Sequence, residues 1–114
     1  GLDGGKPGEY LTDRLSGEAL AVIERNADRP FFLNLWHHTV HTPIEGKADV
    51  VARYRGKITP GMHHQGAEYA AMVESLDDSV GRVLQKLDEL KLADDTIFIV
   101  TSDNGGYLSP WRSL

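Results

Sequence analysis

Two short apolar runs, Phe31-Phe32-Leu33-Asn34-Leu35 and Ile97-Phe98-Ile99-Val100, each pass directly into a polar cluster. The first is followed by Trp36-His37-His38-Thr39-Val40-His41-Thr42-Pro43 and the second by Thr101-Ser102-Asp103-Asn104-Gly105-Gly106. Apolar runs of this length without regular polar alternation read as strands buried on both faces. In open α/β sheets, polar residues delivered where such a strand surfaces mark the edge that holds ligands. The pattern therefore predicts an active-site rim assembled from two strand ends.

The elements between these runs read as helices. Over residues 12–26 the apolar positions Leu15, Ala19, Val22 and Ile23 follow helical spacing. Thr12 or Ser16 is placed to cap that helix, and Asp13 and Glu18 lie near the positive end of its dipole. Asp28-Arg29-Pro30 makes the break, because proline biases Arg29 away from the helical region. The strongest periodic signal is Tyr69, Met72, Val73, Leu76, Val80, Val83, Leu84, Leu87 and Leu90, one apolar face of a helix over 66–90. Gly81 sits inside it at a helical cost of about 1 kcal/mol relative to Ala, which predicts a close approach of helix and sheet there. Asp94-Asp95 marks the turn into the second strand. Residues 1–9 are a glycine-rich lead-in, and 42–64 form a long irregular segment with a short helical turn around 49–54. Helix, strand, long loop, helix, strand is the grammar of an α/β fold with parallel strands and right-handed crossovers. His41 and Asp103 then share one rim.

Composition narrows the partners. The chain has 114 residues with a net charge of −5, and its Lys and Arg are scattered, so the basic footprint of a nucleic-acid binder is missing. No apolar stretch approaches the roughly 20 residues of a membrane-crossing helix, and the expectation is no membrane partner. Cysteine is absent, which removes disulfides, thiolate ligands and a thiol nucleophile. The redox compartment stays open.

Among the rim residues, Asp103 supplies a carboxylate and Asn104 a carbonyl oxygen, adjacent at a strand-to-loop transition where both can bend towards one hard cation such as Ca²⁺ or Mg²⁺. The competing reading is a plain turn: Asn104-Gly105 is a common turn former and Asp103 can cap it. His41 precedes Thr42-Pro43 and stands where an imidazole can donate to an anion or move a proton. His37 and His38 point to opposite sides of the strand if it continues, so only one of them faces inward. His63 and His64 are consecutive with no third ligand nearby and read as solvated loop. Asp77, Asp78 and Glu74 read as the polar side of the long helix.

Taken in order, Tyr10-Leu11-Thr12-Asp13-Arg14-Leu15, Arg29-Pro30-Phe31-Phe32-Leu33, His37 to Pro43, Tyr69-Ala70-Ala71-Met72 through Leu76-Asp77-Asp78-Ser79-Val80-Gly81, and Thr101 to Gly106 closely resemble the middle part of type I sulfatases. The resemblance spans nearly everything from Tyr10 to Gly106. It implies an alkaline-phosphatase-like α/β/α sandwich and hydrolysis of sulfate esters at a bound calcium ion. By that similarity Asp103 and Asn104 match a pair of metal ligands, and His41 matches a histidine that contacts the substrate sulfate or acts as an acid. Asn at 104, where metal-dependent phosphatases of the superfamily show His, favours the sulfatase over a phosphodiesterase or phosphonate hydrolase.

The departures matter equally. The family's formylglycine nucleophile, made from Cys or Ser in a C/S-x-P-x-R motif, lies upstream of the matched region with an Asp-Asp metal pair, and neither is present here. From Tyr107 to Leu114 the chain leaves the family pattern. The expectation is one partial catalytic domain over 1–114, a sulfatase fragment that by itself neither turns over sulfate esters nor holds calcium tightly. The alternative is a truncated sulfatase-like module without chemistry. Uncovered sheet edges predict self-association. Sulfatases of this kind are periplasmic, secreted or lysosomal, and nothing in the sequence chooses among these.

Overall fold

The computed structural model describes residues 4–106. Three α-helices and a 3₁₀ turn account for the regular structure among them: α1 Leu11–Arg25, α2 Ala48–Arg55, α3 Ala67–Glu89 and the turn Ala93–Asp95. The two helices read from periodicity thus form with ends within a residue of those expected, and the helical turn near 49–54 is a full short helix. Residues 4–9 of the lead-in have no regular structure beyond a local turn. The tail at 107–114 lies outside the described residues.

Helix α1 begins without the side-chain cap expected of Thr12 or Ser16; Tyr10 occupies the cap position and only its carbonyl is used, accepting from the Arg14 N–H at 3.0 Å. Thr12 and Ser16 instead turn inward with Ala19 and Ile23. Helix α3 buries Ala71, Met72, Ser75, Ser79, Val83 and Leu87. Ser16 meets Ser79 midway along α3, and Glu24 meets Lys86 near the C-terminal ends of both helices. Sequence positions advance together, so α1 and α3 run parallel, as helices on one side of a crossover fold do. Ala19, Ile23, Val83 and Leu87 form the core between them, and Phe31, Leu33, Leu35 and Leu92 pack against it. A second apolar cluster, Val50, Val51, Ala67 and Ala71, seats α2 on the start of α3.

Gly46 explains how closely the chain passes α3. A Cβ there would stand 2.6 Å from Ala71 Cβ, 2.8 Å from Val51 Cγ2 and 3.0 Å from the Glu68 carbonyl. Gly81 is different from its expectation. It is exposed with open space where a Cβ would stand, so no close approach requires it. The long apolar face is also split, since Val73 and Leu84 are exposed while the smaller Ser75 and Ser79 face the helix partner.

The parallel strands of the expected α/β/α sandwich do not form among the described residues. Residues 31–36 are extended but exchange no backbone hydrogen bonds with a neighbouring segment among the described residues. Burial alternates along them: Phe31, Leu33 and Leu35 lie on the helices, whereas Phe32 is 90% and Trp36 80% exposed. One face is therefore covered and the other bare, in place of the two buried faces predicted. The 97–100 run is barer still, with Ile97 90% and Ile99 78% exposed. The radius of gyration is 16.5 Å, against about 13 Å for a compact domain of this length.

Directions are nevertheless set by contacts. The first segment follows the C-terminal end of α1 at Arg25 and ends where Thr39 Oγ1 lies 2.5 Å from Thr12 Oγ1, at the N-terminal end of α1. The second leaves the C-terminal end of α3 and reaches Gly106, whose Cβ position is 3.2 Å from the Tyr69 hydroxyl near the start of α3. Both segments run against the helices and hence parallel to each other.

Candidate functional site

The two motif segments arrive at the same end of the helix pair, one beside Thr12 and the other beside Tyr69. Between the helix starts, Lys47 Nζ is 2.7 Å from an oxygen of Asp13, and the Tyr10 hydroxyl donates to the Glu45 carbonyl at 3.0 Å. Among the described residues no hydrogen bond or ion pair joins His41 to Asp103 or Asn104.

His41 is exposed on a tight turn in which its backbone N–H donates to the His38 carbonyl at 3.0 Å. Its Nδ1 lies 3.1 Å from the Thr42 carbonyl and 3.2 Å from the Thr42 hydroxyl. The His38 ring is tilted by 47° to the His41 ring, with centroids 5.4 Å apart. Nε2 of His41 has no partner among the described residues, so this is the nitrogen available to a ligand.

His37 takes the inward position and His38 the outward one, as alternation along an extended chain requires. His37 Nε2 is 3.0 Å from Ser79 Oγ, Ser79 Oγ is 2.6 Å from Ser16 Oγ, and Ser16 donates to the Thr12 carbonyl at 2.7 Å. His37 Nδ1 is buried with no hydrogen-bond partner among the described residues. Burial alone holds its imidazole below the ordinary histidine range, because the charged ring would lose hydration with no counter-charge to replace it. His37 thus has a fastening role: with Thr39 on Thr12, it moors the stretch that leads into His41.

This buried polar seam is what the sequence reading missed. The visible signal was hydroxyl spacing: Thr12 and Ser16 on one helix, Ser75 and Ser79 on the other, each pair four residues apart on an otherwise apolar face. Four-residue spacing stacks side chains on one side of a helix. Small hydroxyls repeated there on two helices imply close packing and mutual hydrogen bonding.

Asp103 and Asn104 are exposed and adjacent. The Asn104 N–H donates to Asp103 Oδ1 at 2.9 Å, and the Gly105 N–H donates to Ser102 Oγ at 2.9 Å. Gly105 has φ +78°, the left-handed region that glycine enters without strain. The Asn104 amide is best oriented with its nitrogen donating to Asp103 Oδ1 at 3.1 Å and to the Gly105 carbonyl at 3.2 Å, which turns its oxygen away from both. The turn engages one carboxylate oxygen, while Asp103 Oδ2 and the amide oxygen accept no hydrogen bond from the described residues. Two hard oxygens suit Ca²⁺ or Mg²⁺ in type but fall short of the roughly 6 that either ion takes. No described group of three His, Cys, Asp or Glu residues completes a shell.

The remaining candidates separate cleanly. His63 and His64 are exposed loop residues. Asp77 and Asp78 are exposed on α3, and Glu74 is paired with Arg53 at 2.5 Å. No described helix is long and apolar enough to cross a membrane.

Comparison with known proteins gives this rim its family. A family model described as Sulfatase matches residues 2–112. The chain is 38% identical over 112 residues to a sulfatase of Formosa agariphila, covering 90% of this chain and 20% of that protein. It is 41% identical over 100 residues to human steryl-sulfatase, covering 88% of this chain and 15% of the relative. With human N-acetylgalactosamine-6-sulfatase it shares 37% over 105 residues, covering 90% and 18%. The chain thus spans a fifth or less of the length of these relatives. A match over almost the whole chain, taking in both extended segments and their polar ends, leaves one assignment: the chain belongs to the sulfatase family.

Proposed function

We propose that this chain is the part of a sulfate-ester hydrolase that carries a substrate-contacting histidine, His41, and half of a divalent-cation site, Asp103 with Asn104. The observation that carries this reading is the arrival of both polar motifs at one end of two parallel helices, on segments that run the same way. In a chain as long as the relatives, these segments become neighbouring parallel strands of an α/β/α sandwich, and their bare faces are covered.

His41 holds and orients a sulfuryl oxygen through Nε2, the nitrogen left open by its turn. A histidine also suits the task of giving a proton to the leaving oxygen. Asp103 and Asn104 present hard oxygens on a turn that Gly105 closes, and a divalent cation held there supplies charge stabilisation on the sulfuryl oxygens as the ester bond breaks. Relatives named for different sulfate esters share this stretch at similar identity. That supports a role in the common chemistry rather than in choosing the ester.

The 114-residue chain lacks a C/S-x-P-x-R nucleophile motif, and we propose that by itself it is inactive and binds calcium weakly. The test pairs two proteins: this chain, and the same reading frame extended upstream to include such a motif. Turnover of an aryl sulfate by the extended protein, lost on His41→Ala and absent from the short chain, supports the reading. Turnover by the short chain overturns it, and an inactive extended protein favours a module without chemistry. The bare faces of 31–36 and 97–100 further support self-association of the short chain.

A further inference from the structure

We infer that His38 is a positioning residue for His41, acting through the carbonyl of Thr42. Two imidazole nitrogens converge on that one oxygen: His38 Nε2 at 3.3 Å and His41 Nδ1 at 3.1 Å. A carbonyl oxygen only accepts, so each of these nitrogens carries a hydrogen. The Thr42 hydroxyl lies 3.2 Å from the same Nδ1 and can accept from it or donate to another group. The His41 N–H on the His38 carbonyl at 3.0 Å closes the ring of contacts. His38 holds the carbonyl from one side while the carbonyl holds the His41 ring from the other.

This arrangement decides what His41 offers. With Nδ1–H committed to Thr42, the outward Nε2 of a neutral His41 is a lone pair, able to take a proton and unable to donate to an anion. Nε2 becomes a donor only when the ring carries its positive charge. A sulfate-ester oxygen is then met by an imidazolium N–H, a charge-assisted contact that is shorter and stronger than a neutral one. The second nitrogen's partner sets the tautomer, and here that partner is a carbonyl that His38 keeps in place. His38 itself is exposed and apart from the core, so replacing it changes this turn and leaves the helices packed.

The inference deepens the proposed role of His41, but its test needs no substrate. Long-range nitrogen–proton NMR of the imidazoles in the 114-residue chain, in solution alkaline enough for neutral rings, reads the tautomer directly. The expected result is Nδ1–H as the majority form of His41, a switch to majority Nε2–H in His38→Ala, and retention of Nδ1–H in His38→Gln, whose amide donates at similar reach. Majority Nε2–H in the unaltered chain, or an unchanged tautomer in His38→Ala, overturns it. Should His38→Ala disturb the fold, His38→Leu, which fills similar space without a donor, replaces it: a switch to Nε2–H supports the inference and retained Nδ1–H refutes it. Failure here leaves the sulfatase reading standing, and failure of the activity test leaves the tautomer result standing.

Discussion

His37 Nε2 lies 3.0 Å from Ser79 Oγ and thereby ties the segment carrying His41 to the middle of α3. The neutral ring suits this place. Its Nδ1 is buried without a partner among the described residues, and burial holds its pKa below the ordinary value. The unfolded chain consequently takes up a proton at higher pH than the folded one. Stability is complete above about pH 6.5, the ordinary histidine value, and falls as pH drops from there towards the lower folded value. Denaturant midpoints measured from neutral to mildly acidic pH should show this fall, and His37→Gln should flatten it. An equal fall in the variant sinks the assignment.

Ser79→Ala removes the hydroxyl that both His37 and Ser16 use. Leaving buried polar atoms without partners costs about 1–3 kcal/mol. Because Ser16 and Ser79 belong to one seam, the double change to alanine should cost less than the two single changes added together. Strict additivity in chemical denaturation would show the seam to be energetically idle.

Two glycines should respond in opposite directions. Gly46→Ala forces a methyl to within 2.6 Å of Ala71 Cβ and 2.8 Å of Val51 Cγ2, an overpacking that costs about 1–3 kcal/mol. Gly81→Ala meets nothing within 4 Å and gains about 1 kcal/mol from helix propensity. Thermal unfolding of both variants checks the pair, and a destabilised Gly81→Ala would contradict the open surface seen there.

The exposed Phe32, Trp36, Ile97 and Ile99 lie on extended segments without backbone partners. Such edges recruit another strand when one is available. The short chain should therefore show a mass that rises with concentration in light scattering, and Phe32→Lys with Ile99→Lys should lower it. A monomer at every concentration rules the self-association out.

Calcium should bind the short chain weakly and at a single place, since Asp103 and Asn104 supply two protein oxygens to an ion that takes 6–8. Amide shifts at 102–106 should move only at high calcium, and Asp103→Ala should abolish the movement. Tight binding that survives this change would place the ion elsewhere.

Local pattern was legible because its physics is local. The apolar repeat in α3 and the Asp28-Arg29-Pro30 break depend on spacing within one segment, so the helices begin and end where the sequence says. The inward His37 and outward His38 follow likewise from alternation along an extended chain. The family motifs at His41 and at Asp103-Asn104 could also be recognised in the sequence, as residues of particular types in a particular order.

Contacts between distant segments were decided by tertiary structure alone. Whether an apolar run becomes a strand depends on a neighbour to complete its hydrogen bonds; residues 31–36 find helices on one side and no strand among the described residues. Thr12 and Ser16 look like caps until α3 brings Ser79 to them, because a buried hydroxyl bonds to whatever packing sets within reach. That Thr39 lies at the start of α1 and Gly106 near the start of α3 is likewise a product of parallel helix packing. Spacing in the chain specifies residue types in a given order, but which segments lie side by side is decided only by how the helices pack.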